Sequence, residues 1–96
     1  LRILWTEAAS EDLEALCAYV GADNPTAAAR QVLPVVEAVE NLLPQKPALG
    51  RPGRVPGTRE LVVPKTPYIV AYRIKLGVLQ VLRVPSAARL TAEPAP

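Results

Sequence analysis

Apolar residues recur every three or four positions in the first part of the chain. Ala9, Leu13, Leu16, Cys17 and Val20 share one face of a helix predicted over residues 7–20. Thr6 precedes it as a capping hydroxyl, and Glu7, Glu11 and Asp12 lie toward its positive end. Gly21 supplies the stop. The same period returns in Ala28, Val32, Val35, Val36, Val39, Leu42 and Leu43, which predicts a second helix over 25–43. Asn24 is placed to cap it, and Pro25 fits its first turn, where a missing N–H costs nothing. Pro34 lies inside this helix and is expected to kink it, and Pro44 to end it. The short link between the two makes them an antiparallel hairpin.

Elsewhere the period shortens. Ile3, Leu4 and Trp5 make a short apolar strand candidate. Three more follow at Thr58–Val63, Tyr68–Ile74 and Val78–Val84, separated by turn-like breaks of hairpin length. Alternation puts Tyr68, Val70, Tyr72 and Ile74 on one face of the middle strand, and Ile69, Ala71 and Arg73 on the other. Residues 44–57 hold four prolines and three glycines, a density expected to exclude regular structure. From Pro85 onward the chain is rich in Ala and Pro. A domain over 1–89 with a flexible tail over 90–96 is expected. The order β-α-α-β-β-β predicts an α+β fold, a helical hairpin on a small, mainly antiparallel sheet.

Composition narrows the chemistry. Half of the 96 residues are apolar, yet Phe and Met are absent, so the core must be built from Leu, Val, Ile and a few aromatics. No histidine is present, which removes imidazole acid–base chemistry and histidine metal ligation. Cys17 is the single cysteine, and its place on the apolar stripe suggests a small buried hydrophobe. No metal or other cofactor is expected. The start lacks the basic-then-apolar order of a signal peptide, and no apolar run approaches the ~20 residues of a membrane span, so a cytoplasmic protein with no membrane partner is expected. Net charge is only +2, but it is divided unevenly. Residues 1–43 carry seven carboxylates against two arginines, and residues 44–96 carry nine cations against two carboxylates. A basic half suits nucleic acid or an acidic peptide.

Particular residues point further. Ile3-Leu4-Trp5-Thr6, Asp12-Leu13, Tyr19-Val20 and Asn24-Pro25 open the chain. Leu49-Gly50-Arg51-Pro52-Gly53-Arg54-Val55-Pro56-Gly57-Thr58-Arg59-Glu60-Leu61, Pro67-Tyr68-Ile69-Val70-Ala71-Tyr72-Arg73 and Val81-Leu82-Arg83-Val84 follow. Together they resemble the RelE/ParE superfamily of toxins from type II toxin–antitoxin systems, over about residues 2–89. The resemblance implies a growth inhibitor neutralised by a cognate antitoxin. RelE-like members cut mRNA on the ribosome without a metal, and ParE-like members inhibit DNA gyrase. MRNA-cutting members often carry Arg after the strand tyrosine, where this chain has Ile69. Many relatives carry His near the end of the last strand, where this chain has Pro85-Ser86. Serine cannot replace an imidazole titrating near neutrality. The resemblance therefore favours a ParE-like toxin. A RelE-like endonuclease and an inactive relative that only binds antitoxin are the alternatives.

Six cations are candidate contacts to target or antitoxin: Arg51, Arg54, Arg59, Arg73, Arg83 and Arg89. Each also has a plainer reading. Arg51 and Arg54 on the Pro/Gly loop could be solvated surface charge. Arg59 could form a cross-strand salt bridge. Arg73 and Arg83 are expected to share a face and form a basic patch. Arg89 falls where the resembled family carries a conserved arginine. Glu60 is a poor general base beside Arg59. Tyr68, Tyr72 and Trp5 fit the core better than a binding site. The apolar hairpin surface would take an antitoxin helix, and the basic sheet its acidic residues.

Overall fold

The computed structural model describes residues 1–21 and 25–86. Strand β1 (Arg2–Trp5) leads into helix α1 (Glu7–Gly21) and helix α2 (Pro25–Glu37), which runs on into a π-helical turn at Ala38–Leu42. Four strands follow: β2 (Arg51–Pro52), β3 (Arg59–Val62), β4 (Ile69–Lys75) and β5 (Val78–Arg83). They form one sheet in the order β1-β5-β4-β3-β2. The pairs β2–β3, β3–β4 and β4–β5 are antiparallel, and β1 lies parallel to β5. The α+β architecture expected from the sequence is thus present. Asn24, the expected cap of the second helix, and the tail over 90–96 lie outside the described residues.

Thr6 shows how the first helix is seated. Its Oγ1 accepts the Ala9 N–H (3.2 Å), satisfying one of the free donors at the start of α1. The same hydroxyl donates to the Val81 carbonyl (2.8 Å), which ties the helix start to β5. One residue therefore sets both the beginning of α1 and its position over the sheet. Ala9, Val35, Ala38, Val39 and Leu43 from the helical side then meet Leu61, Val63, Val70, Tyr72, Leu79 and Val81 from the sheet. Each large side chain buried this way contributes roughly 1.5–3 kcal/mol before entropy is counted.

Pro34 does not end α2, which continues to Glu37. The departure from α-helical bonding comes four residues later, where Leu43 N–H bonds to the Ala38 carbonyl (2.9 Å), an i to i−5 bond. Ala38, Val39 and Leu43, within and at the end of this widened turn, are all buried in the core. The second apolar stripe is realised, although its last turn is not α-helical.

Two readings of the sequence are corrected here. Cys17 is exposed and not a buried hydrophobe. Consecutive helix positions are about 100° apart, and the core takes Ala9 and Leu16 while Cys17 is turned outward. The Pro/Gly segment is not wholly irregular either. Arg51 and Pro52 pair with Glu60 and Arg59 as β2, a place Pro tolerates because β2 is an edge strand.

The β4–β5 turn has positive φ at both central residues, Leu76 (52°) and Gly77 (75°). This is the pattern of a two-residue hairpin turn that matches strand twist. Gly adopts it freely, but Leu does not, and Leu76 is also 93% exposed. Leu76→Asn is expected to raise stability by about 0.5–1 kcal/mol. Chemical denaturation checks this, with no change or a loss as the contrary result.

Candidate functional site

A cleft of about 950 Å³ lies where α1 meets the end of β5. Its wall is built by a carboxylate staple. Asp12 accepts two bonds from Arg83, Nε to Oδ2 at 2.7 Å and Nη2 to Oδ1 at 3.0 Å. Its Oδ2 also accepts the Val84 N–H (2.9 Å). One side chain in α1 thus holds both the last cation of β5 and the backbone just beyond it. The hydrogen bond from Arg83 to Asp12, and then the charge of Asp12, raise the Arg83 pKa above its already high ordinary value, so this cation is permanent.

Arg54, Thr58 and Glu60 line the same cleft from the side of the Pro/Gly loop and β3. Glu60 accepts the backbone N–H of Arg54 (3.3 Å) and lies 3.9 Å from the Arg51 guanidinium. Its cation neighbour is Arg51, not Arg59, because the β2–β3 register sets Arg51 opposite Glu60. Tyr68 and Ser86 close a further part of the cleft and form an isolated antiparallel bridge. Ile69 N–H also bonds to the Pro85 carbonyl (2.9 Å), so the chain beyond β5 stays attached to β4 through the Pro-Ser step. Ile69 itself is 3% exposed and belongs to the interior.

The six candidate cations are therefore dispersed. Arg54 and Arg83 share the cleft, and Arg51 stands at its rim through Glu60. Arg59 is opposite Tyr72 in register, on the core side, and its Nη1 donates to the Gly50 carbonyl (2.8 Å) and the Ala48 carbonyl (3.4 Å) instead of pairing with a carboxylate. Arg73 and Arg83 do not form one patch. Arg83 continues the alternation of buried Leu79 and Val81 and reaches α1, whereas Arg73 pairs in register with Gln80, on the opposite face. A register irregularity at Ala71/Tyr72 separates the two. Arg89 lies outside the described residues.

Of the aromatic residues, Tyr72 is fully buried, as expected for core. Its hydroxyl has a second task that composition alone hides. It donates to the Pro47 carbonyl (2.7 Å) and accepts the Gly50 N–H (2.9 Å), pinning the Pro/Gly loop to the sheet. Gly50 is required by space, since a Cβ there would stand 2.7 Å from the Tyr72 hydroxyl oxygen. Tyr68 and Trp5 pack against the core while remaining partly accessible. Trp5 Nε1 reaches Glu40 Oε2 at 3.4 Å. Asp12 was not singled out as a site residue, and an acidic residue in the second turn of a helix carries no local sign that it will bond to a strand 71 residues away.

Known proteins resemble this chain in sequence and in fold. The family model described as the ParE toxin of the type II toxin–antitoxin system parDE matches residues 3–91. The Y4kP protein of Sinorhizobium fredii is 48% identical over 77 residues, covering 80% of this chain and 79% of that protein. Among solved structures, the chromosomal ParDE toxin–antitoxin system of P. aeruginosa superposes with a TM-score of 0.79 at 34% identity, covering 90% of this chain and 95% of the other. The RelBE2 toxin–antitoxin complex of Mycobacterium tuberculosis gives a TM-score of 0.62 at 27% identity, over 88% and 95% of the two chains.

Proposed function

Because the chain belongs to the ParE toxin family of type II toxin–antitoxin systems, we propose that it stops growth by binding a cytoplasmic protein target, DNA gyrase foremost. A cognate antitoxin holds it inactive until then. The observation that carries this reading is the state of the cleft. One of its two cations, Arg83, is already bound through two bonds to Asp12, and Glu60 is engaged by Arg51 and the Arg54 backbone. A nuclease needs cations free to meet a scissile phosphate and a group that can deliver a proton. Here Ile69 is interior, Ser86 is tied into a backbone bridge, and the chain has no histidine. Arg54 and Arg83 act in this reading as contacts to carboxylates of target or antitoxin, Arg83 by trading its Asp12 partner. Arg51, engaged by Glu60 at the rim, supplies further positive charge.

A second reading, a RelE-like ribosome-dependent mRNA endonuclease, draws on one feature. Arg54, Arg83 and Tyr68, whose ring could stack on a base, line a single cleft of about 950 Å³. Induction of the chain in bacteria, with and without its antitoxin, followed by supercoiling and transcript-mapping assays, separates the readings. The expected result is a fall in viable count rescued by the antitoxin, with supercoiling by purified gyrase inhibited and translated transcripts intact. Codon-periodic cleavage of mRNA with gyrase unaffected would transfer the chain to the second reading. No loss of viability from soluble, folded protein would leave a relative that only binds antitoxin.

A further inference from the structure

The turn between β4 and β5 carries a residue that the fold alone does not account for. A two-residue turn with positive φ at both centres is served by Asn, Asp or Gly. Here the first centre is Leu76, at φ 52°, and it is 93% exposed. A leucine in that place crowds its own backbone and leaves an apolar side chain in water, so it lowers stability on two counts. Nothing among the described residues closes over the tip, and a Cβ built on the neighbouring Gly77 meets no atom within 4 Å. An apolar group held out in a disfavoured conformation marks a contact made outside the chain.

The tip has a collar of charge. The strand registers set Arg2 opposite Val78 and Val78 opposite Lys75, and the next row joins Leu4, Gln80 and Arg73. Arg2, Lys75 and Arg73 therefore share one face of the sheet beside the turn, and none has an ion pair among the described residues. β1, β4 and β5 contain no carboxylate to offset them. Ile74, on the opposite face of the hairpin, is 41% exposed and adds apolar surface behind Leu76. At about 3.3 Å per residue along β4, Leu76 stands roughly 25 Å from Tyr68 in the cleft. Tip and cleft are thus separate surfaces at opposite ends of one strand.

We infer that the β4–β5 tip anchors the toxin to its protein target. Leu76 enters an apolar pocket of that protein, and Arg2, Arg73 and Lys75 meet carboxylates at the rim of the pocket. The inference rests on the toxin reading above, with gyrase as the target, and gives it a contact surface remote from the cleft. Other occupants answer less of what the tip presents. A phosphate backbone would engage the cations but leave Leu76 in water. A bilayer would take Leu76, but one such side chain buries far less than a myristoyl chain, which by itself anchors only marginally. A second copy of this chain offers an apolar groove of about 760 Å³ beside Trp5, with Glu14 and Glu40 along it. Glu40 there already accepts the Trp5 Nε1–H (3.4 Å), which leaves Glu14 to answer three cations.

Three variants isolate the tip. Leu76→Asn removes the apolar group and suits the turn, so a loss of activity would not come from unfolding. Lys75→Glu reverses one charge of the collar. Leu33→Gln removes an exposed leucine from α2 and is the reference for losing any surface leucine. Each is tested for inhibition of supercoiling by purified DNA gyrase, for viable count on induction, and for antitoxin affinity by calorimetry. Leu76→Asn is expected to need about tenfold more protein than the unaltered chain for the same inhibition, and Lys75→Glu about threefold more. Viable counts should rise in the same order, antitoxin affinity should stay within about twofold, and Leu33→Gln should inhibit like the unaltered chain. Equal inhibition by Leu76→Asn and the unaltered chain overturns the inference and leaves the toxin reading intact. So does a parallel loss of antitoxin affinity, which would make the tip part of the antitoxin surface. Binding of the unaltered chain to plasmid DNA without gyrase, lost in Lys75→Glu but kept in Leu76→Asn, overturns it in favour of nucleic acid. Oligomers in sedimentation that Leu76→Asn dissolves overturn it in favour of a second copy. An unaltered chain that leaves gyrase untouched removes the gyrase reading and this inference together.

Discussion

Tyr72→Phe is expected to lower the unfolding free energy by about 2–3 kcal/mol, although it deletes a single oxygen. That oxygen serves two backbone groups of the Pro/Gly loop, the Pro47 carbonyl and the buried Gly50 N–H. Phenylalanine keeps the ring in the core, so little apolar burial is lost. The cost comes from leaving a donor and an acceptor without partners where water has poor access. For a domain of this size the melting temperature should fall by roughly 10–20 °C. Gly50→Ala tests the same contact from the other side. Its new methyl would stand 2.7 Å from the hydroxyl oxygen and 3.1 Å from the Glu60 carbonyl carbon. The ring is fully buried and has little room to retreat, so this change is expected to cost about 2–3 kcal/mol as well. Because both act on one contact, the double variant should lose less than the sum of the two. Calorimetry or urea unfolding checks all three, and a Tyr72→Phe loss below about 0.5 kcal/mol would show that the loop is held by other means.

Asp12→Ala is expected to cost about 1–2 kcal/mol and to change the cleft more than the fold. Three bonds disappear at once, two to Arg83 and one to the Val84 N–H. The Arg83 side chain is 59% exposed, so its ion pair is discounted for solvent screening, and most of the loss is assigned to the half-buried Val84 N–H. Once released, the guanidinium becomes available to an anion in the cleft. The segment at Pro85 and Ser86 also loses its anchor to α1, so amide exchange should quicken at Val84 and Ile69, whose N–H groups bond to Asp12 and to the Pro85 carbonyl. The Arg83 pKa is raised, which makes the stabilisation from this group present at every lower pH and lost only above the raised value. No pH dependence near neutrality should therefore arise from Arg83 itself. Unchanged exchange at both amides would remove Asp12 from this role.

Much of the architecture was legible because local periodicity survives into the fold. The stripes beginning at Ala9 and Ala28 became helices, and the alternating runs after Thr58 became β3, β4 and β5. What stayed hidden depends on contacts between distant residues. The parallel pairing of β1 with β5 leaves no trace in either segment. β2 is too short for any period, and only its register with β3 makes it a strand. The apolar stripe of α1 was drawn too wide at Cys17, because sequence spacing does not say how much of the helix circumference the core will cover.

The site was less legible than the fold, for a related reason. Counting cations located a basic half but not the carboxylates that engage them. Arg83 and Arg73 looked equivalent until the Ala71/Tyr72 irregularity and the strand registers placed them on opposite faces. Arg59 looked like a partner contact or one half of a cross-strand salt bridge but binds loop carbonyls beside Tyr72. The lesson in physical terms is that arginine is satisfied by any convergent set of acceptors, including backbone. Its role follows from which acceptors the fold supplies.

The link between Thr6 and Val81 also bears on when the protein becomes active during its own synthesis. These residues are 75 positions apart. At ordinary elongation rates of about 5–20 residues per second, β1 and the start of α1 wait roughly 4–15 seconds for the strand that completes them. Closing so long a segment is also among the slower folding events. Throughout that interval the nascent chain has neither a finished sheet nor the Asp12–Arg83 staple, and hence no assembled cleft. Assembly of the cleft is thus delayed until nearly all the described chain has left the ribosome.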